Sequence, residues 1–146
     1  MGVNVNATDT AVYPLGQFTP LFKPVDVSTE IIGLSAVLQL LQRSDFVESS
    51  WTFTAGYFNI HPALKEILLR STSNHATIIT SHPHANGFYG SAGISGNLPL
   101  GYTLLAQRFL SDVYVAGKQD SIVLKEWKRG KVGEENGWTY HAKGIA

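Results

Sequence analysis

The sequence predicts an α/β domain, a mixed sheet flanked by helices. Two observations carry that reading. Runs of β-branched and aromatic residues alternate with runs whose apolar residues recur at helical spacing, in the order helix, strand, helix, strand, helix, strand, strand. The length, 146 residues with 44% hydrophobic and 15% charged, suits one packed core rather than a disordered chain.

Residues 1–24 read as an irregular arm or linker, punctuated by Pro14, Pro20 and Pro24, with a short extended stretch at Val12-Tyr13. The α/β domain proper is expected over 25–146. Its first helix spans Ser28 to Arg43, with Ile31, Leu34, Leu38 and Leu41 on one side and Asp26 or Ser28 as cap. A polar turn covers 44–50. Trp51 to Phe58, rich in Thr and aromatic residues, suits a strand. Pro62 to Arg70 reads as a helix with Pro at its first turn and Asn59 or His61 as cap.

Ala76 to Thr80 reads as a buried strand. A Gly-rich loop follows, from about Ser81 to Asn97, and a helix from Pro99 to Val115. Loops longer than about 12–15 residues are uncommon in compact domains and are often functional. Ile122 to Trp127 is a further strand, Lys128 to Gly137 a polar connector, and Trp138 to Ile145 a final strand.

Composition excludes several classes. The formal net charge is zero, which removes the global electrostatic case for nucleic acid as partner. The absence of cysteine excludes disulfide scaffolds and thiolate metal sites. The longest apolar stretch, Ile31 to Leu41, is interrupted by Gly33, Ser35 and Gln39 and falls short of the roughly 18 residues that span a bilayer. Met1 to Thr10 carries neither the positive charge nor the apolar block of a signal peptide, and no arginines of a transit peptide. Asn6 stands where a myristoylation motif wants Ser or Thr.

Three segments carry chemistry. In the last predicted strand, alternation points His141 and Lys143 to the same face, with Gly144 leaving room beside them. An imidazole can attack or move a proton near neutral pH, and an ammonium can hold a phosphoryl oxygen. The pair fits half of a phosphoryl-transfer site, although His-x-Lys by itself is a weak motif and equally describes two solvated residues on a surface strand. The loop Ser81-His82-Pro83-His84-Ala85-Asn86-Gly87-Phe88-Tyr89-Gly90 can offer backbone N–H groups to a phosphate ahead of a helix. It is neither a Walker loop nor a dinucleotide fingerprint, and His82 with His84 lacks a third metal ligand. Finally, Lys125, Lys128, Arg129 and Lys131 cluster about Trp127 and suit an anionic lipid surface, diluted by Glu126, Glu134 and Glu135.

Together the blocks Trp51-Thr52-Phe53-Thr54-Ala55-Gly56-Tyr57-Phe58-Asn59, Ser81 through Asn86-Gly87-Phe88-Tyr89-Gly90, and Gly137-Trp138-Thr139-Tyr140-His141-Ala142-Lys143-Gly144 are more specific than any one of them. In this order they resemble the phosphatidylglycerophosphate synthases of the phospholipase D superfamily, in their fungal, mitochondrial form, from about Tyr13 onward. The resemblance implies one incomplete lobe of a two-lobed fold, each lobe giving one His-x-Lys motif to a shared site. It implies a phosphatidyl transfer from CDP-diacylglycerol to glycerol 3-phosphate through a phosphohistidine, needing no metal or other cofactor, on an anionic membrane in the mitochondrion. His141 and Lys143 match the second motif, as acid/base partner and phosphate clamp. Asn59, Ser81, Asn86, Gly87 and Gly144 are the candidate substrate-binding residues. The family's Ser-and-Asn segment after that motif has no counterpart here, and His61-Pro62-Ala63-Leu64-Lys65 has the wrong spacing for the first motif. The expectation is therefore a fragment, inactive alone and prone to self-association. Two alternatives stay open: a homodimeric single-motif phosphodiesterase of the same superfamily, and a non-catalytic lipid-binding product.

Overall fold

A computed structural model of the protein describes residues 12–17 and 29–146. Most of the arm expected at 1–24 lies outside the described residues. The elements are α1 (Glu30–Gln39), β1 (Ser50–Ala55), α2 (Pro62–Leu69), β2 (His75–Ser81), α3 (Leu98–Val115), β3 (Ile122–Trp127) and β4 (Lys143–Ile145), with short 3-10 turns between them.

The four strands form one sheet in the order β3-β2-β1-β4. β1 and β2 run parallel, as do β2 and β3, while β4 is antiparallel to β1. Parallel neighbours need a crossover. α2 supplies it between β1 and β2, and α3 between β2 and β3. The expected mixed sheet with flanking helices is what the chain forms.

The core follows from the register. Trp51, Ala76 and Ile122 lie side by side across three strands, as do Phe53, Ile78 and Leu124. Trp51, Ala76, Ile78 and Ile122 are buried, together with Leu68 of α2 and Ala106, Phe109 and Val113 of α3. Phe58 bridges the layers: its ring meets Phe109 edge-on at 5.0 Å and Phe53 at 6.2 Å. The Trp51 indole N–H donates to Ser71 Oγ at 3.0 Å, so the one polar atom of that buried ring is satisfied. Lys65 of α2 pairs with Asp112 of α3 at 2.5 Å, tying the two crossover helices together.

Both strand-to-helix junctions at 61 and 82 use the same device. His61 Nδ1 accepts from Ala63 N at 3.3 Å, and His82 Nδ1 accepts from His84 N at 3.0 Å; each is followed by Pro in the first turn. Two of the five histidines are thereby engaged as caps.

The chain divides into two compact units, Met1–Val37 and Leu38–Ala146. In the first, Gly16 accepts from the backbone of Thr29 and Glu30 and donates to Thr29 Oγ1, and Leu15 lies so close to Gly33 that a Cβ there would meet it at 2.5 Å. The second contains the sheet and every candidate site residue.

Three boundaries differ from the periodicity. The α-helical part of the first helix ends at Gln39 and tightens into a 3-10 turn over Leu40–Gln42. β1 stops at Ala55 rather than Phe58 because the chain turns at Gly56, where a Cβ would meet the Tyr140 carbonyl oxygen at 2.3 Å. The final strand is only Lys143–Ile145. Upstream of it, Trp138 N donates to Arg129 O and Tyr140 N to Ala85 O, so the backbone from 138 to 142 bonds to loops instead of a continuous ladder.

Phe109→Ala removes the ring that meets Phe58 and leaves a cavity between α3 and the sheet. It is expected to lower unfolding free energy by about 3–5 kcal/mol, read from the urea midpoint at unchanged slope. A loss below about 1 kcal/mol would show that Phe109 is not central to the core.

Candidate functional site

The carboxyl ends of β1, β2 and β3 meet at one edge of the sheet, and β4, running the other way, begins there with Lys143 opposite Ala55. Open α/β sheets bind ligands at this edge because their loops diverge there. The 82–97 loop, the 56–61 turn and the 128–142 connector all belong to it.

His141 and Lys143 meet at this edge. Lys143 Nζ lies 3.1 Å from His141 Nε2 and also donates to the His141 carbonyl at 3.5 Å. Both residues are exposed. His141 lies outside the strand, so strand alternation is not what brings the two together. The local cause is a set of backbone bonds: Gly56 N donates to Ala142 O at 3.1 Å and Tyr140 N to Ala85 O at 2.9 Å, pinning the residues on either side of His141.

An aromatic cluster supports the imidazole. Tyr57 meets it edge-on at 5.6 Å, and Tyr57 is itself packed by Phe88 at 5.5 Å and stacked on Tyr102 of α3 at 5.3 Å. With the Lys143 ammonium donating to Nε2, a neutral imidazole carries its proton on Nδ1. A phosphoryl oxygen that draws the ammonium away leaves Nε2 open to take or give a proton.

The other candidates divide. Ser81 is buried and donates to the His82 carbonyl at 2.9 Å. Asn86 is buried, and its Oδ1 accepts from Phe88 N at 3.0 Å, which shapes the loop. Gly87 is exposed beneath the Tyr57 hydroxyl, which a Cβ would meet at 2.6 Å, so its backbone reaches the aromatic cluster that carries His141. Gly144, in β4, accepts from Thr54 Oγ1 at 3.3 Å and follows Lys143 directly. Asn59 is exposed in a cavity of about 220 Å³ between α2 and α3, beside Lys65, Arg108 and Asp112; neither His141 nor Lys143 lines it. Gly144 therefore adjoins the imidazole–amine pair, Gly87 meets Tyr57 on the aromatic cluster beside it, Ser81 and Asn86 act on the loop's own backbone, and Asn59 faces a separate crevice.

Sequence reasoning left Tyr57 and Tyr102 out of the site, although Tyr57 stands inside one of the three blocks that carry the resemblance. Tyr102 had no such signal, because it reads simply as a core position of a helix. The histidines of the loop also play a part not foreseen. His82 and His84 rings meet at 4.9 Å, and His84 meets Tyr89 at 4.8 Å. Burial pushes the His84 imidazole below the ordinary histidine range, and Lys128, His82 and Lys131 push the same way against Glu134. Its Nδ1 is buried and has no hydrogen-bond partner among the described residues. Among the described residues no group of three His, Asp or Glu side chains is arranged to hold a metal ion.

The basic cluster is folded back on aromatic rings. The Arg129 guanidinium lies 4.6 Å over Trp138, Trp127 stacks on Tyr140 at 5.2 Å, and Lys131 pairs with Glu134 at 3.2 Å. Burial raises the Tyr140 phenol.

Two measurements check this geometry. His84 is expected to titrate below about 6.5 by NMR of its imidazole protons, and Lys128→Gln to raise that midpoint. Since burial and the neighbouring cations lower this imidazole's folded pKa, its share of stability is present above the unfolded value and lost as pH falls through the lower folded value. A midpoint at or above 6.5 would contradict the burial described. For His141, Tyr57→Ala is expected to shift its ring-proton resonances and Tyr57→Phe to leave them nearly in place; equal spectra for both would remove Tyr57 from the site.

No family model matches the chain. Curated relatives do. Over 137 residues, 93% of this chain, it is 53% identical to a CDP-diacylglycerol–glycerol-3-phosphate 3-phosphatidyltransferase of Saccharomyces pastorianus, covering 26% of that protein. It is 50% identical over 142 residues to the protein of that name from Saccharomyces cerevisiae, covering 27% of it. A mouse relative with the same name, designated mitochondrial, is 34% identical over 140 residues and is covered to 22%. Among solved structures, phosphatidylserine synthase of Haemophilus influenzae matches 78% of this chain and 25% of its own with a TM-score of 0.58 at 24% identity, a likeness of fold. Along nearly its whole length the chain is thus similar to CDP-diacylglycerol–glycerol-3-phosphate 3-phosphatidyltransferases, and it spans about a quarter of the length of the relatives it matches.

Proposed function

We propose that this chain supplies one half of the active site of a phosphatidyltransferase acting on CDP-diacylglycerol and glycerol 3-phosphate in phosphatidylglycerol and cardiolipin synthesis. The observation that carries the reading is the 3.1 Å contact between Lys143 Nζ and His141 Nε2 at the carboxyl edge of the sheet. The relatives' name supplies the substrates; the pair supplies chemistry that suits them.

In this reading the phosphatidyl phosphorus passes from the CMP oxygen to an imidazole and then to a hydroxyl of glycerol 3-phosphate. Two imidazoles are needed, one to attack phosphorus and one to protonate CMP and then deprotonate the acceptor hydroxyl. His141 takes the proton-transfer role and Lys143 holds the phosphoryl oxygens. The attacking imidazole comes from the part of the longer relatives that this chain does not span. Gly144, directly after Lys143, gives the phosphate backbone to approach, and Gly87 leaves room beneath Tyr57. The mitochondrial designation of the mammalian relatives supports a mitochondrial setting for this protein, and the lipid substrate of this reading calls for contact with a membrane.

The test is a chimera. Placed in the S. cerevisiae relative in exchange for the segment it matches, the chain is expected to support CMP release from CDP-diacylglycerol and glycerol 3-phosphate. His141→Ala in that chimera is expected to lower kcat about 10²–10⁴-fold, with Lys143→Ala acting in the same direction. The chain alone is expected to release no CMP above background. An active chimera indifferent to His141→Ala would overturn the assignment.

A further inference from the structure

Asn59 opens onto a crevice of about 220 Å³ that neither His141 nor Lys143 lines. α2 forms one wall and α3 the other. The floor is apolar: Phe58 and Phe109, meeting edge-on at 5.0 Å, with Ile60 and Leu105 beside them. The polar groups are Asn59, Lys65, Arg108 and Asp112.

Where these charges go decides what the crevice can hold. Asp112 stands four residues after Arg108 on α3, a spacing at which an acid and a base of one helix can pair. It turns across to α2 instead, where its Oδ2 accepts from Lys65 Nζ at 2.5 Å. The Lys65 side chain is 30% exposed and that of Asp112 41%, so the bridge between the walls is half-buried. Arg108 is left without an ion pair among the described residues, and the Asn59 carboxamide without a hydrogen bond to them. One lysine and one arginine against one aspartate leave a single excess positive charge beside an apolar floor.

A guanidinium presents paired N–H donors at the spacing of two oxygens of a carboxylate or phosphate. It holds them more strongly where low-dielectric walls replace part of the water. The volume bounds the rest of the ligand. Pockets for drug-sized molecules run from roughly 300 to 1,000 Å³, so this one takes a smaller body. A ring or short chain laid on Phe58 and Phe109 would cover apolar surface that water otherwise wets.

We propose that the α2–α3 crevice binds a small anion with an apolar body, its carboxylate or phosphate-ester oxygens held by Arg108 and Asn59 and its body resting on Phe58 and Phe109. The site is separate from the imidazole–amine pair, and its binding does not depend on phosphatidyl transfer.

The test is an NMR titration of the whole chain, near neutral pH and at low salt, with phenyl phosphate, benzoate, benzyl alcohol and inorganic phosphate. Saturable shifts of the Arg108 Nε–H and Asn59 carboxamide signals are expected with phenyl phosphate or benzoate. None is expected with benzyl alcohol, which has the ring without the charge. The tighter of the two anions tells a phosphate ester from a carboxylate. Inorganic phosphate, with nothing to lay on the floor, is expected to bind at least tenfold more weakly than that anion. Arg108→Gln is expected to lower affinity at least tenfold by removing a charge-assisted bond. Arg108→Lys is expected to recover part of that loss, since it restores the charge without the fork. Arg108 is exposed, so both variants should keep the parent's urea midpoint. His141→Ala is expected to bind as the parent does; loss of binding in it would move the anion to the imidazole–amine pair and overturn the proposal. No saturable shift with either ring-bearing anion, equal shifts with benzyl alcohol, inorganic phosphate binding as tightly, or parental affinity in Arg108→Gln would each overturn it as well.

Discussion

The backbone contact between Gly56 and the segment Tyr140–Ala142 is the constraint on which the candidate site depends. Gly56 N donates to Ala142 O, and the Tyr140 carbonyl occupies the place where any side chain at 56 would begin. That approach fixes three things at once. It ends β1, it starts the antiparallel return that becomes β4, and it sets His141 beside Tyr57, the residue after the glycine. A Cβ at 56 would force the two backbones apart and lift the imidazole off its aromatic support. The effect on the site would exceed the modest cost of an ordinary glycine replacement, because it acts through position rather than propensity.

The sheet and its crossovers were legible because they are written in periodicity. Trp51 and Phe53, Ala76 and Ile78, and Ile122 and Leu124 stand two apart within their strands, and Ala106, Phe109 and Val113 three and four apart within α3, so the inward face declares itself. The terminal segment was less legible. Residues 138–142 have the composition of a strand, yet their hydrogen bonds go to Arg129, Ala85 and Gly56, partners far apart in sequence. No local pattern announces such bonds. The adjacency of His141 and Lys143 was expected from alternation along a strand; in the folded chain it arises from these loop bonds, so the same juxtaposition has a different cause. Tyr102 was invisible as a site residue for a related reason: only the packing of α3 over the 56–58 turn gives it a role.

The histidines show how residue type alone misleads. Of the four in described loops or turns near the sheet's carboxyl edge, His61 and His82 cap helical turns through Nδ1, and His84, packed on Tyr89, is pushed below the ordinary histidine range by burial and by neighbouring cations. Only His141 faces solvent with an amine at its Nε2. A cap uses its ring nitrogen permanently, and a half-buried imidazole flanked by lysines is harder to protonate than a solvated one. What separates His141 is therefore not its identity but the mobility of its partner: a lysine side chain can leave, whereas a backbone N–H cannot.

That mobility also bears on the half-site proposed for the pair, in physical as well as mechanistic terms. His141 and Lys143 stand in water, where a charge contact at hydrogen-bonding distance is worth little and a phosphate would be held weakly. Clamping a phosphoryl group and stabilising charge that develops on it require a drier setting. The chain provides an aromatic base beneath His141 through Tyr57, Phe88 and Tyr102, but nothing above it among the described residues. In the proposed enzyme the missing wall belongs to the remainder of a protein about four times as long, which would also bring the attacking imidazole. Exposure of the pair in this chain is thus what a shared site demands of each contributor: the reacting groups must lie at a surface before the second surface closes over them.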